Sequence, residues 1–169
     1  MTTAYTEIRA IDAHGHYGVY PPSGPIERAN RLTCKFMTGD ANTVATRAEA
    51  CGVDWTLVSP LSGLMPRGTD TDVVAGNNQA FREVPAVTGL LQYVIVNPLQ
   101  PKTYDQARMM LKSKWCVGIK IHPEEHCYRI SDQGKALFKF LEEVNAPVMT
   151  HSGCPNSLPA DFVPFANQH

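Results

Sequence analysis

Five short runs of apolar, often branched residues punctuate the chain, at 9–14, 56–59, 90–96, 116–121 and 147–151. Each run is continuous rather than alternating, which is the pattern of a strand covered on both faces in a parallel sheet. The stretches between them carry apolar residues at helical spacing. Val44, Ala48 and Cys51 mark a helix over 42–51, with Gly52 where a helix would end. Val73, Val74, Asn77, Phe81 and Val84 mark one over 71–84, and Ala107, Met110 and Leu111 one over 103–114. Leu137, Phe140, Leu141 and Val144 form the stripe of a helix over 131–144, for which Ser131 or Asp132 is a natural N-cap. A last helix is predicted near Asp161, with Pro164 in its first turn, where a missing N–H costs nothing.

Strand and helix therefore alternate five times. The strand centres at Ile11, Leu57, Val94, Ile119 and Val148 are 46, 37, 25 and 29 residues apart, room enough for helical crossovers between parallel strands. Two architectures meet this order: an open doubly wound sheet, or part of a (β/α)8 barrel. No G-x-G-x-x-G follows the first strand, so the dinucleotide-binding form of the open sheet gains no support. The segment 17–41, with Pro21, Pro22, Gly24 and Pro25 at its start, would lie at the C-terminal ends of the strands, where α/β sites are built.

Composition narrows the function classes. At 169 residues the chain is long enough for one domain with its own core, expected to span residues 1–169. Its 15 basic and 16 acidic residues nearly cancel, which argues against a nucleic-acid partner or a polybasic membrane surface. No apolar stretch approaches a membrane span, and residues 1–9 lack the basic-then-apolar order of a leader. The five cysteines, Cys34, Cys51, Cys116, Cys127 and Cys154, are odd in number and form no C-x-x-C pair. Reduced thiols, most of them acting as small buried hydrophobes in a cytoplasmic protein, are the expectation.

Three segments carry the residues that could do chemistry. In Ile11-Asp12-Ala13-His14-Gly15-His16 the two histidines are two apart on a strand and so share a face. Two imidazoles converging at a strand end can share one divalent ion: zinc first, with manganese, iron or nickel as alternatives. His151 ends the fifth run and supplies the third ligand that a catalytic site needs. The first and fifth strands lie closer across a curled barrel than across an open sheet, so this ligand set favours the barrel. In Gly118-Ile119-Lys120-Ile121-His122-Pro123, Lys120 and His122 share one face of the fourth strand and are placed to bind substrate. A buried lysine there could also be neutral, be carboxylated to bridge two ions, or pair with a carboxylate. Glu124, Glu125 and His126 read as a solvated loop, and Cys154 as a bystander thiol.

Read in order, IDAHGHYG, VVAGNNQAFREVPAVTGLLQYVIVNPLQP, GIKIHPEEHCYRI, APVMTHSG and LPADFVPFANQH resemble the amidohydrolase superfamily, specifically its amidohydrolase-related (amidohydrolase 2) branch. The resemblance runs from about residue 8 to the C-terminus. It implies the N-terminal part, about five βα units, of a metal-dependent (β/α)8 TIM barrel. It also implies a hydrolase in which a metal-activated water attacks an amide, ester or lactone bond of a small molecule. His14, His16 and His151 match the family's ligands from strands one and five. Its further histidine after strand six and its aspartate after strand eight have no counterpart here, and His169 does not match the former. The general base is therefore expected outside these residues, and the sheet edges are expected to be covered by the remaining part of the barrel or by another copy. Some relatives instead carry out nonoxidative decarboxylation of aromatic or unsaturated acids, for which Arg67, Arg28 and Arg31 are candidate carboxylate-binding cations. A noncatalytic metal-binding half-barrel is the third possibility.

Overall fold

A computed structural model of the chain describes residues 10–20, 39–68 and 70–169. Arg28, Arg31 and Cys34 lie outside the described residues. The apolar runs form five strands: β1 (Ala10–Tyr17), β2 (Val53–Pro60), β3 (Leu90–Ile95), β4 (Cys116–Ile121) and β5 (Val148–Thr150). They lie in one sheet in consecutive order, and every neighbouring pair is parallel. Five helices alternate with them: α1 (Ala41–Ala50), α2 (Val73–Glu83), α3 (Lys102–Met110), α4 (Ile130–Val144) and α5 (Pro159–Ala166).

This is a curled half-barrel. In a flat sheet β1 and β4 would be three strand spacings apart, about 14 Å. Instead Lys120 Nζ of β4 lies 2.8 Å from His14 Nε2 of β1. Side chains on the inner face meet across two intervening strands only if the sheet bends towards closure.

The outer face buries the core. Val94, Ile119 and Ile121 of the central strands pack against Met110 of α3 and Leu137, Phe140 and Leu141 of α4, the stripe expected from helical spacing. Buried amides hold α2 to the sheet. Asn77 donates from Nδ2 to Ile95 O and accepts from Ile95 N, both at 2.8 Å, and donates also to Gln106 Oε1. Its side chain thus mimics a short piece of neighbouring strand. Gly76 is required where α2 meets the turn after β2: a Cβ there would sit 2.5 Å from Gly63 Cα, inside contact distance of backbone.

Element ends follow local chemistry. Asp40 caps α1 by accepting from Thr43 N at 2.7 Å, and Asp72 caps α2 by accepting from Ala75 N at 2.9 Å. Two expectations are corrected. α4 starts at Ile130, one residue before the expected caps, so Ser131 and Asp132 lie inside its first turn. α5 starts at Pro159, with Leu158 N donating to Asp161 Oδ2 at 2.9 Å, so Pro164 falls inside the helix and not in its first turn. The cysteine expectation also changes. Cys116 is buried, its thiol donating to Gln92 Oε1 and pushed up by burial to about 11, but Cys51 and Cys127 are exposed and Cys154 is half-buried.

Candidate metal centre

The C-terminal ends of β1, β4 and β5 bring His14, His16, Lys120, His122 and His151 to one end of the sheet. β1 carries one residue more than β2 between the pairs Asp12↔Thr56 and Gly15↔Val58, the mark of a β-bulge. The bulge re-aims His14, and Asp12 Oδ1 steadies it by accepting from His14 N at 2.9 Å. Gly15 lets β1 close on β2, since a Cβ there would fall 2.4 Å from Thr56 Cγ2. The outcome is a histidine pair whose Nε2 atoms are 3.2 Å apart.

Hydrogen bonds assign the protons. His16 Nδ1 lies 3.2 Å from Ser59 O, a carbonyl that can only accept, so the proton is on Nδ1 and Nε2 carries a lone pair. His14 Nε2 faces the Lys120 ammonium at 2.8 Å and accepts from it. Burial, then the Lys120 charge, pushes His16 down to about 4, and the same two causes lower His14 despite its more open position. Both rings are neutral at pH 7, and their Nε2 atoms lie 3.2 Å apart.

The spacing of this pair suits two ligands of one divalent cation. Two nitrogens each about 2.1 Å from one ion are about 3.0 Å apart at a right angle and about 3.4 Å apart at the tetrahedral angle. The observed 3.2 Å lies between them. The Ser59 carbonyl supplies the outer hydrogen bond that orients a ligating imidazole.

Lys120 is fully buried at the inner face, and no carboxylate pairs with it among the described residues. Burial lowers it to about 8, so the ammonium form still predominates at pH 7. His122 is held on the other side. Its Nδ1 accepts from Glu125 N at 3.3 Å, leaving the proton on Nε2, and its ring stacks on His151 with centroids 4.4 Å apart and planes 9° apart. Burial, then the charges of His151 and Lys120, drives His122 to about 2, so it is a neutral donor and no acid–base group near pH 7.

The third expected ligand is at the same end of the sheet but is turned elsewhere: His151 Nε2 lies 3.2 Å from Cys154 Sγ. Among the described residues no group of three or more His, Cys, Asp or Glu side chains is arranged to hold an ion. The expected solvated loop is corrected as well. His126 is fully buried, with Nε2 3.0 Å from Gly63 O, because the turn after β4 folds back onto the turn after β2. Glu124 pairs with Arg67 at 2.5 Å, which engages the cation considered for a substrate carboxylate. Sequence reasoning missed the Lys120–His14 contact, the Ser59 carbonyl and the Cys154–His151 contact. Only the last had a signal, the three-residue spacing.

No family model matches the chain, and no curated protein is significantly similar to it. Solved structures do match. Two are of 5-carboxyvanillate decarboxylase from Novosphingobium aromaticivorans, each with manganese and a nitrobenzoic acid bound, at 14% and 15% identity and TM-scores of 0.59 and 0.60. They cover 99% of this chain and 57% and 56% of their own. A third, 2,6-dihydroxybenzoate decarboxylase from Rhizobium, is 13% identical with a TM-score of 0.57, covering 94% of this chain and 53% of its own. The chain thus shares their fold and spans little more than half their length.

Proposed function

We propose that this chain forms the ion- and substrate-holding part of a metal-dependent, nonoxidative decarboxylase of an aromatic or unsaturated carboxylic acid, built on the amidohydrolase-superfamily plan. The observation that carries this reading is the buried Lys120 ammonium beside the histidine pair, without a carboxylate of its own among the described residues. An acid substrate supplies the missing counter-charge, and an ester or amide does not. Support comes also from the neighbours, whose names give aromatic acids as substrates.

His14 and His16 would hold the ion, with His151 joining them on turning from Cys154. Imidazole donors suit zinc, iron or nickel, and two of the neighbours hold manganese. When bound, the ion supplies a Lewis acid that fixes and polarises the oxygens of the substrate. Lys120 binds the carboxylate, and His122 donates its Nε2–H to a second substrate oxygen. The ring–carboxyl carbon bond breaks, carbon dioxide leaves, and the electron pair left on the ring carbon takes up a proton. The group that delivers this proton is assigned to no residue of the five units.

The test is turnover of hydroxylated benzoic acids and of activated esters by the purified protein, loaded with manganese or zinc. Release of carbon dioxide from an acid, lost in Lys120→Met, is the expected result. Ester cleavage without carbon dioxide would return the reading to a hydrolase. Stoichiometric ion binding with neither reaction would make the chain a noncatalytic half-barrel.

A further inference from the structure

The lone pair on His14 Nε2 has two claimants. Lys120 Nζ lies 2.8 Å from it, and an ion shared with His16 needs the same electrons. A ring nitrogen accepts one N–H or binds one cation, never both. The lysine is hemmed in: it is fully buried, and its strand is paired through Ile95 on one side and Met149 on the other. The neighbouring His16 Nε2, 3.2 Å from that of His14, offers a second lone pair and no proton. Without an ion, the ammonium is the cation that lies against the His14 lone pair.

We propose that Lys120 holds the place of the ion: ammonium and divalent cation exclude each other at His14 Nε2, so ion loading expels Lys120 and frees it for an anionic substrate group. The inference rests on the metal-dependent reading above and adds an order of events to it. The ion enters first, and the cation that recognises the acid becomes available as a consequence. An anion on Lys120 and an ion on His14 then favour each other's binding, because each holds the lysine where the other needs it.

The experiment is a calorimetric titration of metal-stripped protein with Zn2+ and with Mn2+, for the wild type, Lys120→Met and Lys120→Gln. Both substitutions keep the length of the stem and remove a buried charge, so at least one should fold, as circular dichroism will show. A charge-assisted hydrogen bond must be broken in the wild type alone, so both variants should bind the ion about tenfold or more tightly. In parallel, the Cε resonance of Lys120, assigned by its loss in Lys120→Gln, should shift when the wild type is saturated with Zn2+. Equal or weaker affinity in the variants, or a Lys120 resonance that saturation leaves in place, overturns the exchange while the metal site stands. If no protein binds either ion, the metal site itself falls and the exchange with it.

Discussion

An imidazole chooses its role by what each nitrogen touches. His16 is oriented by a carbonyl and left with a free lone pair, whereas His122 is capped on Nδ1 by a backbone N–H and left with a donor. The two should therefore fail differently. His14→Ala or His16→Ala should lower ion affinity about a hundredfold or more while leaving the circular dichroism spectrum unchanged. His122→Ala should keep the ion and lower turnover about a hundredfold, with His122→Gln recovering part of it through its own N–H. Ion content by atomic absorption beside steady-state rates separates these outcomes. His126 has a different consequence. Burial lowers it to about 4 from an ordinary 6.5, so between these pH values the unfolded chain binds the extra proton and stability falls as pH falls. Replacing it by Gln, which can still donate to Gly63 O, should remove about 3 kcal/mol of that pH dependence in urea titrations run from pH 7 to pH 4. The histidine pair and the Lys120–His122 face were legible from a period of two. The bulge that aims His14 was not, because it depends on the register between β1 and β2. His126 was not either, since two glutamates before it read as solvated.

At the scale of the element, strands and helices were visible because apolar runs and helical stripes report burial directly. Their ends depend on single contacts that spacing does not encode. Pro159 and Asp161 set the start of α5, and so Pro164 ended up where the Ala160 carbonyl loses its helical partner. Asn77 read as one position of an apolar stripe, yet its amide is what docks α2 on β3. Asn77→Leu should preserve volume while stranding Ile95 N–H and Gln106, at a cost of about 2–4 kcal/mol in urea unfolding. Gly76→Ala acts on the same joint from the side of packing. Its Cβ meets backbone, not the end of a flexible side chain, so a loss of about 1–3 kcal/mol is expected. The alternative for either variant, an unchanged midpoint, would mean that α2 is held mainly by its apolar face.

For the molecule as a whole, the unsettled choice between open sheet and barrel is decided by the strand order and by the reach of Lys120 to β1. Among the described residues the sheet ends in two unpaired edges, those of β1 and β5. Among the described residues β5 pairs only with β4; its Val148 is exposed and lines a cleft of about 410 Å3 together with residues including Ile121, Phe138 and Phe162, and Leu158 and Val163 at and in α5 are exposed too. A strand edge without a partner, with apolar side chains exposed near it, is a template for another chain. The protein is accordingly expected to associate with itself, or with the rest of a barrel, through this edge. Sedimentation velocity should show mass rising with concentration, and Val148→Lys with Val163→Lys should suppress the rise. A monomer at every concentration would place the weak point elsewhere. Among the described residues no helix is long and apolar enough to cross a membrane.

The consecutive order of the strands also has a consequence in time. Each strand after β1 is neighbour to the one made just before it, so every later strand leaving the ribosome finds a partner already synthesised. The sheet can grow like a row of bricks laid from one end, with a single working edge at every stage. The histidine pair is laid with the first brick, and the lysine that meets it arrives only with the fourth, when the curve has brought the two ends of the row within reach.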